Sequence, residues 1–411
     1  MSSCATSAKA AVFHGWLVVL GAFAVTFVGF GSAYTFSTFF EALQRDFGAS
    51  RGAVSLVFSL AGFLYFALGA VSGPLADRWG SRGLAVTGMV LVGTGLIVAG
   101  MARTLNQVCV AYGLGVGLGV GCAYVPALGA VQRWFVRRRG FASGIAVSGI
   151  GVGTLTMPPL ATALIAHVGW REAWLILGCV AAIVGGGMAL LIENDPSARG
   201  LGPDGDAPLA EANVRRSAGI SVRQAVTSRR FGMLYAACLI GSFGLFVPFV
   251  HLVPYALDRG IRPSLAALLL GVVGIGSTGG RFLLGGLADR LGRLLALQVM
   301  FLGMALALGV WAMSTGFWTL AVFAFVFGTF YGGYVAVLPA LVMDYFGGRN
   351  VSGIIGVLYT SIAFGTLAGP SAAGYAFDVS HSYLLPILIS VGLNLIAAGI
   401  AATMPKTNAA V

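Results

Sequence analysis

Charge is scarce in this sequence. Of its 411 residues, 9% are Asp, Glu, Lys or Arg, where a soluble domain carries about 25%. Too little charge remains to cover a water-facing surface, which excludes an ordinary soluble protein and leaves a polytopic membrane protein. Lysine occurs only as Lys9 and Lys406. The five cysteines (Cys4, Cys109, Cys122, Cys179, Cys238) include no C-x-x-C pair, so neither a disulfide framework nor a zinc site is expected. No paired acids, Ser-His-Asp set or metal cluster stands at usable spacing, which argues against an enzyme; no cofactor is expected. Away from the ends of the apolar runs the amides are Asn394 and Gln298, too few for a sugar site. No acid lies at mid-run, as a cation or drug exporter would need.

What is present is apolar: 58% hydrophobic residues and 62 glycines. In a bilayer, glycine lets helices approach closely. Runs of about 20 residues, enough to span, fall at 15–40, 53–73, 84–102, 106–131, 140–166, 171–192, 231–257, 264–287, 294–314, 317–343, 350–377 and 383–403. The first is expected to stay as an uncleaved helix. Residues 194–229 are polar and rich in Pro, Gly and Ala, and read as a cytoplasmic linker with a short surface helix near 219–229. This predicts an all-α membrane protein: twelve helices in two pseudo-symmetric six-helix bundles, 1–193 and 230–411. With both termini inside, 17 of the 24 Lys and Arg are cytoplasmic, as the positive-inside rule requires. The net charge of +11 is thereby a matter of topology, and no nucleic-acid partner is expected.

The halves repeat. "GPLADRWGSR" (73–82) follows the second run and "GGLADRLGR" (285–293) the eighth; Asp77 and Asp289 stand 212 positions apart. Internal duplication of six spans is the mark of a transporter with its substrate site between halves near mid-membrane. The motif Gly73-x-x-x-Asp77-Arg78-x-Gly80-x-Arg82, recurring as Gly285-x-x-x-Asp289-Arg290-x-Gly292-Arg293, resembles the loop motif of the major facilitator superfamily. Asp77, Arg78, Asp289 and Arg290 are then the expected conformational latch. "WFVRRRGFASGIAVSG" (134–149) resembles the signature opening the fifth helix of the monocarboxylate transporter family, with Trp134 where Tyr is usual. Gly15-Trp16 resembles the tail of that family's first-helix signature, without its acidic residue. The whole also resembles the related oxalate/formate exchangers.

"GVVGIGSTGGRFLLGG" (271–286) carries Arg281, the only charge between Arg262 and Asp289. An arginine within a span costs roughly 2.5–3.5 kcal/mol or more, so such a residue is by default functional. It lies eight residues from Asp289, about 12 Å along a helix, which is far to snorkel. Its planar donor fork suits one carboxylate. The Gly274-x-Gly276-x-x-Gly279 pattern has no preceding strand and no acid at the distance a nucleotide fold requires, so it reads as tight helix packing. The resemblance implies that Arg281, on the eighth helix, binds the substrate carboxylate. It implies a gating aromatic at Tyr331, and, from the helices that line the pore in this fold, roles for Tyr34 and Tyr334. Tyr65, Phe243 and Phe246 are further candidates for the lining. Family members often carry an aspartate four residues before this arginine, where Ser277 stands, and a first-helix lysine that is missing here. The proton-coupling candidates are therefore His251, which titrates in the right range, and Asp258, for which a rim pairing with Arg259 or Arg262 is the alternative reading.

The expectation is a monomeric secondary transporter of the plasma (inner) membrane. It works by alternating access, carrying a small monocarboxylate (L-lactate, pyruvate) in symport with H+. An oxalate/formate-type exchanger without proton coupling is the alternative, and a non-transporting receptor a remote one.

Overall fold

The computed structural model describes residues 13–135, 138–206, 220–347 and 350–405. Among them there is no strand, and twelve helical stretches are long and apolar enough to cross a membrane. Six precede the linker: α1 (Gly15–Tyr34) with α2 (Phe36–Phe47), α3 (Arg51–Trp79), α4 (Ser81–Gly100), α5 (Leu105–Trp134), α6 (Arg139–Val168), and α7 (Trp170–Val180) running through a π-helical turn into α8 (Gly186–Ala189). The short α9 (Val222–Val226) lies in the linker. Six follow: α10 (Arg229–Leu245) with α11 (Val247–Asp258), α12 (Pro263–Leu291), α13 (Arg293–Met313), α14 (Phe317–Phe346), α15 (Val351–Ser380) and α16 (Leu384–Ala402). An even number of crossings returns the chain to the side it left. That side is called the terminal end here, and the opposite side the distal end.

The outer walls of the bundle expose large apolar side chains, among them Ile183, Leu283, Leu306 and Val379. In water such a surface would drive aggregation; against hydrocarbon it is the surface required, because each helix satisfies its backbone internally.

The duplication visible in the sequence is also geometric. The loop glycines Gly80 and Gly292 both adopt positive φ, 85° and 91°, a region that side-chain-bearing residues avoid. Each half also breaks its first spanning helix, at Thr35 and at Phe246. The second break follows from Pro248 in the first turn of α11, since proline has no N–H to continue the ladder. At the first break the Thr35 hydroxyl donates to Gly31 O at 2.6 Å. The first span runs past residue 40, where its apolar run ends, to Phe47, because α2 is amphipathic. It buries Phe36, Phe39, Phe40 and Leu43 and turns Arg45 and Asp46 to solvent.

The halves meet along two seams, α3 against α15 and α6 against α12. Small residues make both possible. A Cβ on Gly274 would lie 2.5 Å from Gly151 O, and one on Gly356 would lie 2.7 Å from Ala70 Cα. Gly271, Gly274, Gly276 and Gly280 of the 271–286 stretch therefore serve helix packing. Gly276 and Gly280 abut the α14 backbone, while Gly279 meets no neighbour.

Candidate functional site

Arg281 lies on α12 at the α6 seam and is 7% exposed. Among the described residues it is the only buried Asp, Glu, Lys or Arg. Nη1 donates to Val147 O of α6, in the other half, at 3.0 Å. Nε and Nη2 are buried and have no hydrogen-bond partner. A guanidinium has five N–H donors in a fixed fork. Leaving several of them buried and unpartnered costs free energy, so this group is poised for an acceptor. One turn earlier, the buried Ser277 Oγ is also without a partner.

Beside it is a small cavity of about 30 Å³, room for a water or two. Its wall is made by Phe30, Tyr34, Phe66, Tyr124, Ile150, Leu245, Phe246, Tyr331, Tyr334, Val335, Leu338, Tyr359 and Ile362. Arg281 is not part of this wall. Its charge reaches four of the lining phenols, Tyr331, Tyr124, Tyr34 and Tyr359. On the distal side the Tyr34 and Tyr331 hydroxyls meet across the halves at 3.0 Å. Phe249 closes over both, its ring centroid 4.5 Å from that of Tyr34 and 5.2 Å from that of Tyr331.

Beyond this aromatic lid the distal end is sealed by polar contacts between halves. Arg51, the first residue of α3, makes a two-point ion pair with Asp258 at 2.6 and 2.7 Å. It also donates to the Tyr383 hydroxyl at 2.7 Å and lies 4.0 Å over the Phe377 ring. Asp378 of α15 accepts from the Arg51 and Gly52 backbone N–H groups, each at 2.8 Å, and so caps α3 from the opposite half. His251 is fully buried here. Nε2 lies 2.9 Å from Pro370 O and 3.2 Å from Ser55 Oγ, and Nδ1 lies 3.0 Å from the Tyr383 hydroxyl. A carbonyl can only accept, so the network assigns the proton to Nε2, and Nδ1 accepts from the Tyr383 O–H. Ser37 Oγ donates to Val250 O at 3.0 Å and Ser371 Oγ to Ser59 Oγ at 2.9 Å, adding two more cross-half bonds.

The terminal end carries a second polar cluster, within one half. Glu193 pairs with Arg199 through two bonds of 2.7 Å, with Arg82 at 2.9 Å and with His14 at 3.4 Å. Its backbone carbonyl accepts from Trp134 Nε1 at 2.9 Å. Arg133 reaches Asn194 through both its backbone and side-chain oxygens. Residues 192–199 thus form a strap across the ends of α1, α4 and α5. The Arg199 guanidinium, helped by His14 and Arg82 and opposed by burial, holds the Glu193 carboxyl down at about 2.

The residues expected from the sequence sort by place. Tyr34, Tyr331, Tyr334 and Phe246 line the cavity; Arg281 does not, though its charge reaches Tyr34 and Tyr331. Tyr65 is buried against Phe30 and Phe66 with its hydroxyl unpartnered, and neither it nor Phe243 is in the wall. His251 and Asp258 belong to the distal seal, and the ion-pair partner of Asp258 is Arg51 of the other half. The side chains of Asp77, Arg78 and Asp289 lie outside the described residues, as do Lys9 and Lys406; Arg290 is exposed. Tyr124 and Tyr359 were not anticipated. Tyr124 was within reach of sequence reasoning, because α5 is one of the pore-lining helices and Pro126 marks that stretch. Tyr359 gives no such signal. The two mid-run amides serve helices: Asn394 donates to Ser390 O at 2.9 Å and Gln298 to Ala401 O at 3.2 Å.

Comparison with known proteins follows the same lines. The family model of the Major Facilitator Superfamily matches residues 22–315. Monocarboxylate transporter 11 of Homo sapiens is 31% identical over 95% of this chain and 83% of its own length. Monocarboxylate transporter 13 of Bos taurus is 30% identical over 95% and 89%. A solved structure of a bacterial homolog to the human lysosomal transporter Spinster, in an inward-facing and unoccupied conformation, superposes with a TM-score of 0.73. It covers 95% of this chain and 97% of that one at 14% identity, and so shares the fold.

Proposed function

The chain belongs to the monocarboxylate transporter family of the major facilitator superfamily and is a multi-pass membrane transporter; from that premise we propose that it carries a small monocarboxylate, of the size of L-lactate or pyruvate, together with a proton. The observation that carries the reading is Arg281: a buried cation with Nε and Nη2 unpartnered, beside a cavity between the halves. One carboxylate would occupy those donors, neutralise the charge and allow the halves to close over it. A bare charge crosses the apolar phase at high cost.

The reading uses alternating access between units 1–193 and 230–411, joined by the cytoplasmic linker 194–229. The basic residues at the terminal end support a cytoplasmic placement for it, with the distal end outside the cell membrane and the protein acting as a monomer. The distal seal then closes the outer path. A proton acts on that seal. On Asp258 it removes the charge that holds Arg51. On His251 Nδ1 it adds a second donor aimed at the Tyr383 oxygen, which already accepts from Arg51. Either event weakens the contacts between halves and links external acid to opening. Asp77, Arg78, Asp289 and Arg290 are the proposed latch at the other end.

Uptake by proteoliposomes, followed with a pH electrode, tests this. Symport predicts accumulation of lactate or pyruvate driven by an acid-outside gradient, with alkalinisation outside. The lack of a buried acid among the described residues to partner Arg281 favours a second reading, organic-anion exchange without a proton. It predicts acceleration by internal anion and no alkalinisation.

A further inference from the structure

A second and larger cavity, of about 330 Å³, adjoins the distal seal and has room for roughly ten waters. Glu41, Arg45 and Arg51 of the first half and Asp258 of the second stand in its wall. These charges pair off: Arg45 with Glu41 one turn earlier on α2, and Arg51 with Asp258 across the halves. The cross-half pair is uneven. The Asp258 side chain is 40% exposed and that of Arg51 13%, and Arg51 also lies against the Tyr383 hydroxyl and the Phe377 ring. When the pair parts, Asp258 hydrates where it stands. Arg51 stays against a phenol and an aromatic face and needs another anion. The group that enters this pair is therefore an acid in place of Asp258, not a cation in place of Arg51. A carboxylate from solvent offers the same two oxygens to the same fork, so the exchange conserves the two bonds now made to Asp258. Arg45, largely exposed, adds a second positive group to the wall.

We infer that this vestibule is a low-affinity carboxylate site, separate from Arg281, where a small acid from solvent takes the place of Asp258 on Arg51 and so loosens the seal. The inference rests on the reading of the seal as a gate of alternating access. It makes the acid a trigger for opening as well as the cargo. Affinity is low because the tethered Asp258 competes at high effective concentration, which sets occupancy in the roughly millimolar range. The exchange leaves the Tyr383 bond and both backbone bonds to Asp378 in place, so the seal weakens without dissolving.

The test uses the purified full chain in detergent, where both ends are open to reagent. Ser37→Cys, with the native cysteines replaced, reports on the seal, because Ser37 is buried within it and donates to Val250 O. Arg281→Gln in the same chain removes the central site. Acetate is the probe, compared with chloride at constant ionic strength because salt alone screens an ion pair. Acetate is expected to quicken maleimide labelling severalfold, with its half-effect in the millimolar range, and neither chloride nor acetamide is expected to do so. Arg51→Gln should label fast without acetate and ignore it. A second readout does not depend on the introduced cysteine: Asp258→Asn removes the competitor, so equilibrium binding of acetate to the Arg281→Gln chain should tighten severalfold. An equal effect of chloride, a response to acetate that survives Arg51→Gln, or labelling indifferent to acetate overturns the inference, as does binding unchanged by Asp258→Asn. If Arg51→Gln labels no faster than its parent, the reading of the seal as a gate fails instead.

Discussion

The distal seal and the central cavity are built from similar parts, an arginine among tyrosines, and differ in how far those parts are satisfied. In the seal, Arg51 has a two-point carboxylate partner, a phenol and an aromatic face, and both His251 nitrogens are engaged. In the cavity, Arg281 makes one bond to a backbone carbonyl, and Nε and Nη2 have no partner. A fully partnered buried network holds one arrangement and resists change. An unpartnered buried donor stores unfavourable free energy that a ligand can release. The same residue type therefore serves conformation in one place and recognition in the other, and the predictions below test whether this division holds.

The largest effect is expected at the unsatisfied arginine. Arg281→Ala removes a charge-assisted fork, each bond of which contributes on the order of 1.5–3 kcal/mol. Carboxylate affinity should fall by roughly a hundredfold or more, measured by equilibrium binding, and uptake should vanish. Arg281→Lys keeps the charge but loses the fork and should recover little. Because Arg281→Ala also relieves a poorly paired buried cation, its melting temperature should stay level or rise. A large drop in melting temperature with binding retained would place Arg281 with Arg51 as a structural group.

The satisfied arginine should behave in the opposite way. Arg51→Gln removes the ion pair and the bond to Tyr383, while Asp378 keeps its backbone partners at the start of α3. Asp258 is partly exposed, which limits the pair to about 1–2 kcal/mol, or roughly a tenfold shift toward an open distal end. A cysteine introduced at Ser37, with the native cysteines replaced, should react about tenfold faster with an impermeant maleimide, with affinity for the acid little changed. Asp258→Asn should mimic protonation. Asp258→Asn removes the same ion pair, so its labelling should be as fast as that of Arg51→Gln. If Asp258→Asn and His251→Ala each leave the pH dependence of uptake intact, the proton enters elsewhere.

Between these extremes stands the Tyr34–Tyr331 pair, which touches both regions. Tyr34→Phe removes one cross-half hydroxyl contact and one phenol near Arg281, and leaves the ring stacked on Phe249. A loss of a few fold in affinity is expected, the scale of one neutral hydrogen bond. An effect as large as that of Arg281→Ala would mean that the lid, rather than the guanidinium, dominates binding.

What could be read from the sequence divides along the same boundary. Twelve spans were legible because a bilayer demands about 20 apolar residues per crossing, and Arg281 because a lone charge in such a run stands out. The break at Phe246 is marked by Pro248, but Thr35 leaves no compositional trace. Of the seal, His251 and Asp258 stood out as single residues, but the network that joins them did not. Arg51 and Asp258 are 207 positions apart, and no local pattern says that they meet. Asp258 has two nearer arginines, and proximity in sequence points to them. A satisfied network is a property of the tertiary structure, whereas an uncompensated charge is already visible along the chain.

The smallest effect is expected at the strap, and it tests whether satisfaction alone marks a conformational part. Glu193 is partnered as fully as Arg51 but lies wholly within one half. Glu193→Gln should therefore leave affinity and the distal labelling rate unchanged and loosen only residues 194–206, read as a severalfold rise in limited proteolysis there. The pH dependence has a definite sign. The folded-state value of about 2 lies below the ordinary 4.5, so the contribution is complete above about 4.5 and is lost only as pH falls from there through about 2. Between pH 8 and pH 5, wild-type proteolysis of the strap should stay flat. A strap that loosened together with the seal over that range would show that the two ends are coupled and that Glu193 takes part in the transport cycle.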